Sequence, residues 1–121
     1  DMRALKLSEA ERVETALRGY QPEDSRISLT ITGGVNRPPL EFDEKNQTLF
    51  AEPKIAMQSL GLALECAVVG GGSDGNFTSA IGVPTLDGLG SAGEGPHARH
   101  EHIRISETLD RLALVTALLT N

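Results

Sequence analysis

Gly70-Gly71-Gly72-Ser73-Asp74-Gly75-Asn76, Gly82-Val83-Pro84-Thr85-Leu86-Asp87-Gly88-Leu89-Gly90 and Gly95-Pro96-His97-Ala98-Arg99-His100-Glu101 follow one another in a short span of this chain. Glycine costs backbone entropy wherever it is ordered, so its concentration marks tight turns or close backbone approach. Loops of this kind at strand ends are where α/β proteins keep their sites. Working outward, Cys66-Ala67-Val68-Val69 is a continuous apolar run and reads as a strand buried on both faces. Val83 to Leu86 reads as a second. Ser73 to Ala80 is expected to be a short helix ended by Gly82. A longer helix is expected from about Asn46 to Leu62, with Pro53 kinking it or marking its true start. Ser106 to Leu119 is the closing helix, with Ser106 as N-cap.

The beginning of the chain has a different texture. Asp1-Met2-Arg3-Ala4-Leu5 alternates like a strand, and so does Arg26 to Thr32, where Ile27, Leu29 and Ile31 share one side. Between them, Ser8 and Glu11 have capping-box spacing, and a helix from about Glu9 to Arg18 is expected to stop at Gly19. Gly33-Gly34-Val35-Asn36-Arg37-Pro38-Pro39 permits neither helix nor central strand. A domain crossing is placed there, with residues 1–34 on one side and 35–121 on the other. A strand beginning at the first residue reads as a piece of something longer.

Composition narrows the partners. The chain has 121 residues, enough for one domain with a core, and aromatics make up only 3%, so Leu, Ile, Val and Ala must build it. The net charge is −6, with acidic and basic residues interspersed. That argues against nucleic acid and anionic membrane as partners, since both reward a clustered basic face. The single Cys66 cannot close an internal disulfide and reads as an inert buried thiol, which fits a cytoplasmic origin.

Three elements carry candidate chemistry. His97 precedes Glu101 by four, with His100 and His102 beside it, and Gly95-Pro96 ahead would hold the backbone rigidly. Imidazole is a common metal ligand and needs an orienting acceptor. On spacing alone, a chance surface cluster and a metal role both stay open. Gly70 to Asp74 after a buried strand has the form of an anion cradle. It lacks the Lys-Ser/Thr of a phosphate-binding P-loop, and Ser73 or Asp74 capping a helix is an equal reading. Arg3 bears a guanidinium suited to clamping a carboxylate, although read alone it is a solvated surface arginine.

Taken in order, Asp1-Met2-Arg3, Arg37-Pro38, Gly71-Gly72-Ser73-Asp74, Gly82-Val83-Pro84, Leu89-Gly90 and Gly95 to Glu101 resemble the carboxy-terminal part of the M20 family of zinc aminoacyl hydrolases. That family includes glutamate carboxypeptidases, acetylornithine deacetylase, succinyl-diaminopimelate desuccinylase and aminoacylases. The resemblance implies an α/β fold. Residues 1–34 would be the second half of an inserted α+β, ferredoxin-like dimerisation and lid domain. Residues 35–121 would be the last part of a catalytic domain that binds two zinc ions. It implies that His97 is a zinc ligand, that Arg3 holds a substrate carboxylate, and that Gly71, Gly72, Ser73 and Asp74 lie beside the substrate. Glu101 would support the His97 loop. A homodimer acting on a small carboxylate-bearing amide or peptide is the implied assembly.

The chain departs from the family at Ala98, where Ser or Thr is usual. The family's remaining metal ligands and its Glu general base lie upstream of Asp1, so no catalytic residue is expected within this chain, and alone it is expected to be inactive. The rival reading is a non-catalytic module that dimerises or binds a small anion.

Overall fold

The computed structural model describes residues 2–120. In chain order the elements are α1 (Leu7–Arg18), α2 (Glu44–Ser59), α3 (Gly75–Ala80), β1 (Gly93–Glu94), β2 (His102–Ile103) and α4 (Ile105–Thr120). Helices dominate, and the two short strands form one antiparallel pair with Gly93 opposite Ile103 and Glu94 opposite His102. The described residues group into two compact units, one of residues 1–41 and 68–85, the other of residues 42–67 and 86–121.

In the first unit, α1 buries Ala10 and carries surface pairs from Glu9 to Arg12 and from Glu14 to Arg18. Its start corrects the sequence reading. The Ser8–Glu11 box does not form; Lys6 is the N-cap without a side-chain bond, and the Leu7 N–H donates instead to Glu41 Oε1 at 2.8 Å. A carboxylate at a helix N-terminus satisfies an orphan donor and complements the positive end of the helix dipole. Gly19 does close the helix, but with φ of −83° and not in the left-handed region. Further on, the Arg18 guanidinium donates to the Gly33 carbonyl and holds the end of the 20–33 stretch against α1.

The second unit holds the apolar core. Met57 of α2, Leu64 and Leu114 of α4 are buried together, with Phe50, Ala56, Leu62, Leu89 and Leu118 packed around them. Helix α2 starts at Glu44 because Asp43 accepts from the Asn46 N–H at 2.9 Å, a cap of the kind that contributes about 1 kcal/mol. Pro53 lies inside the helix and is buried, so it does not mark the start. Helix α4 begins one residue before Ser106, so Ser106 lies in the first turn and is not the N-cap. The Arg104 carbonyl instead accepts both the Thr108 N–H and the Thr108 hydroxyl, each at 3.0 Å.

Four expected strands are corrected. Residues 26–32, 66–69 and 83–86 carry no ladder, and neither do residues 2–5; Asp1 lies outside the described residues. The physical reason is that a strand satisfies its backbone only through a neighbour, whereas a helix bonds to itself. No neighbouring strand for these runs is present among the described residues, and their side chains stay open: Ile27 is 59% and Val69 73% exposed. The strands of the expected ferredoxin-like half are therefore not formed. Cys66, expected to be buried, is exposed for the same reason.

Candidate functional site

The first group of candidate residues lies in the first unit, around the loop of residues 70–74. Arg3 donates from its guanidinium to the Gly70 carbonyl at 2.6 Å, so the arginine and the glycine-rich loop are brought together across 67 positions of sequence. At Gly72 the backbone passes close to a side chain: an added Cβ would sit 2.8 Å from the Arg37 side-chain methylene. Around Gly71 there is open space. The two glycines therefore differ, with Gly72 set by a close approach and Gly71 leaving room on the loop's outer side.

Ser73 starts α3. Its hydroxyl accepts from the Gly75 N–H at 3.1 Å, while its own N–H donates to Asn76 Oδ1 at 2.9 Å. This is a reciprocal cap in which Asn stands where Glu or Gln usually does. The capping reading of Ser73 is thus realised. Asp74 makes no cap bond, and its carboxylate is almost fully in solvent, 3.7 Å from the Arg37 guanidinium. That guanidinium also lies over the Phe77 ring, 4.9 Å from its centre, a cation–π arrangement. Arg37 entered the sequence reading only as a motif match, and Asn76 was not singled out. The Ser73-x-x-Asn76 spacing was the signal for the latter.

The second group lies in the other unit, on the turn between β1 and β2. Gly93 must be glycine, since a Cβ there would run into the His102 carbonyl across the pair. Gly95 follows with φ of +71°, and a Cβ on it would meet the His100 ring at 2.6 Å. His97 itself has φ of +66°, the left-handed region that costs an ordinary residue about 1 kcal/mol or more. Its N–H donates to Glu101 Oε2 at 3.2 Å. The imidazole is exposed, and no hydrogen bond occupies its ring among the described residues. The Nδ1 of His102 lies against the His100 carbonyl at 2.9 Å. His97 can therefore offer one ligand nitrogen. No three His, Cys, Asp or Glu side chains gather to hold a metal ion among the described residues, so they do not build a metal centre by themselves.

Arg104 secures this turn. It donates to Glu94 Oε1 at 2.9 Å and to both carboxylate oxygens of Glu107, tying β1 to the first turn of α4. The hydrogen bonds from Arg104, reinforced by its charge, hold the Glu107 carboxyl below the usual carboxylate range. A lowered folded value means the contribution is complete above the ordinary range and is lost as pH falls through the lowered one. NMR titration should show Glu107 protonating at lower pH than an unperturbed glutamate, with β1–β2 amide exchange quickening as it does. Glu107→Gln should erase that pH dependence, and 1 M salt should weaken it because the pair is exposed.

An open groove of about 430 Å³ between Tyr20–Pro22 and Ile27–Ile31 contains none of the candidate residues.

The sequence model of peptidase family M20/M25/M40 matches residues 8–121. The chain belongs to this family. Among curated proteins, Peptidase T of Ligilactobacillus salivarius (strain UCC118) is 40% identical over 63 residues, which is 52% of this chain and 15% of the relative. The matched stretch thus spans a small part of that relative's length. No solved structure matches the chain. No helix among the described residues is long and apolar enough to cross a membrane.

Proposed function

We propose that this chain is the carboxy-terminal part of a zinc-dependent M20 hydrolase that cleaves an amide bond in a small carboxylate-bearing peptide or N-acyl amino acid. The observation that carries the reading is the family match across residues 8–121. The printed name of the partial relative, a peptidase, agrees with it. In this reading residues 1–34 belong to an inserted dimerisation and lid domain, and residues 35–121 to the catalytic domain of a cytoplasmic homodimer.

Each candidate residue then has a task. His97 would supply one imidazole to a zinc, on a backbone that Glu101 holds. Arg3 would grip the substrate carboxylate, with the fork of N–H donors that suits it. The Gly71 to Asp74 loop would line the substrate, and the open space at Gly71 leaves room for its backbone to approach. The chemistry zinc supplies when bound is activation of water at neutral pH and polarisation of the scissile carbonyl. The remaining ligands and the general base would come from the part of the enzyme that precedes this chain.

The test is metal-dependent hydrolysis. The intact enzyme should cleave short peptides or N-acyl amino acids, lose activity to a chelator and regain it with zinc. The 121-residue chain alone should be silent. Hydrolysis by the isolated chain that survives a chelator sinks the assignment.

A further inference from the structure

We infer that Asn76 is a positioning residue that fastens the glycine-rich loop to the Arg37–Leu40 segment; its relevance to catalysis rests on the reading of that loop as a substrate contact. The side chain is half-buried and works at both ends. Its Oδ1 accepts the Ser73 N–H at 2.9 Å, and its Nδ2 donates to the Pro38 carbonyl at 2.7 Å, 38 positions away. A primary amide is the side-chain group that can accept on one atom and donate from another at this reach. One residue therefore links the last turn of the loop to a chain segment remote in sequence.

The surroundings suit a fixed mounting. Beside this link Arg37 lies over Phe77, and its methylene abuts the Gly72 backbone. The first residue of α3, Gly75, sits so close to Leu40 and Thr85 that a Cβ would come within 3.1 Å of the Thr85 methyl and 3.5 Å of Leu40. Thr78, one turn further along the helix, shares a 3.0 Å hydroxyl contact with the same Thr85. The helix is thus seated firmly, and Asn76 transfers that seating to the Ser73 amide. Without it the loop would keep its glycines' freedom, and its orientation would have to be fixed at the moment of binding.

Two substitutions separate the ends of the link. Asn76→Ala removes both bonds. Asn76→Asp keeps an oxygen for the Ser73 N–H but sets a carboxylate against the Pro38 carbonyl. Hydrogen exchange at the Ser73 amide should quicken about tenfold or more in Asn76→Ala and stay near wild type in Asn76→Asp. In peptide hydrolysis by the intact enzyme, both should raise KM about tenfold with kcat within about twofold, because a loosened contact weakens ground-state and transition-state binding alike.

Unchanged Ser73 exchange in Asn76→Ala overturns the inference. So does a variant that loses thermal stability and kcat while KM holds, since that is the mark of a merely structural residue. If the wild-type enzyme hydrolyses no peptide, the proposed function fails. The contrast in Ser73 exchange between the two variants still decides whether Asn76 holds the loop.

Discussion

His97→Ala in the intact enzyme is expected to leave each subunit with one zinc fewer than wild type and no measurable hydrolysis. Losing one of a small ligand set removes a bond that water does not replace equally. The left-handed backbone at this position makes the choice of variant matter, because alanine at φ of +66° adds strain to the loss of the imidazole. Asparagine tolerates that backbone well. His97→Asn should therefore fold as wild type does and show the same metal deficit. Metal analysis of the purified variants, with circular dichroism as the folding control, checks both. Wild-type zinc content in His97→Asn at wild-type affinity counts decisively against His97 as a ligand.

Arg3 carries the second large effect. If it grips a substrate carboxylate, Arg3→Lys should harm kcat/KM nearly as much as Arg3→Ala, because an ammonium cannot reproduce the two-pronged contact. The loss should be about 2–3 kcal/mol, or about 30- to 150-fold, the scale of a charge-assisted bond left unmade. With a substrate whose carboxylate is replaced by an amide, the gap between wild type and variants should shrink, since no anion remains to be held. The bond from Arg3 to the Gly70 carbonyl does not compete with this role, for a guanidinium has five N–H donors. It does predict that Arg3→Ala loosens the loop for either substrate, a smaller penalty visible with the amide. Equal rates for all three enzymes on both substrates would reduce Arg3 to a surface residue.

What could be read from the sequence divides along one physical line. Helices α2, α3 and α4 lie close to their expected places because a helix answers to local signals such as the spacing of apolar residues, a capping side chain like that of Ser73 and a glycine near the end. The strands failed together because a strand's partner is never local. Ile27, Leu29 and Ile31 alternate as a strand should, yet alternation supplies no hydrogen bonds. The same line runs through the candidate site. Glu101 was legible as the companion of His97 because they are four residues apart, and the structure joins them. Arg37 over Phe77, Asn76 against Pro38 and Glu41 on Leu7 join residues more than thirty positions apart, and no spacing rule reaches that far. Asn76 was half legible, through Ser73, and Cys66 was misjudged because its apolar neighbours imply burial only when something covers them.

The interleaving of the two compact units has a genetic consequence. Residues 1–41 and 68–85 make one, residues 42–67 and 86–121 the other, so the chain passes between them three times. Neither unit is a contiguous stretch of the gene. A single recombination breakpoint inside codons 42–85 would sever both of them, and no single deletion can excise either cleanly. Any breakpoint that parts the loop touched by Arg3 from the turn that bears His97 therefore also divides at least one unit.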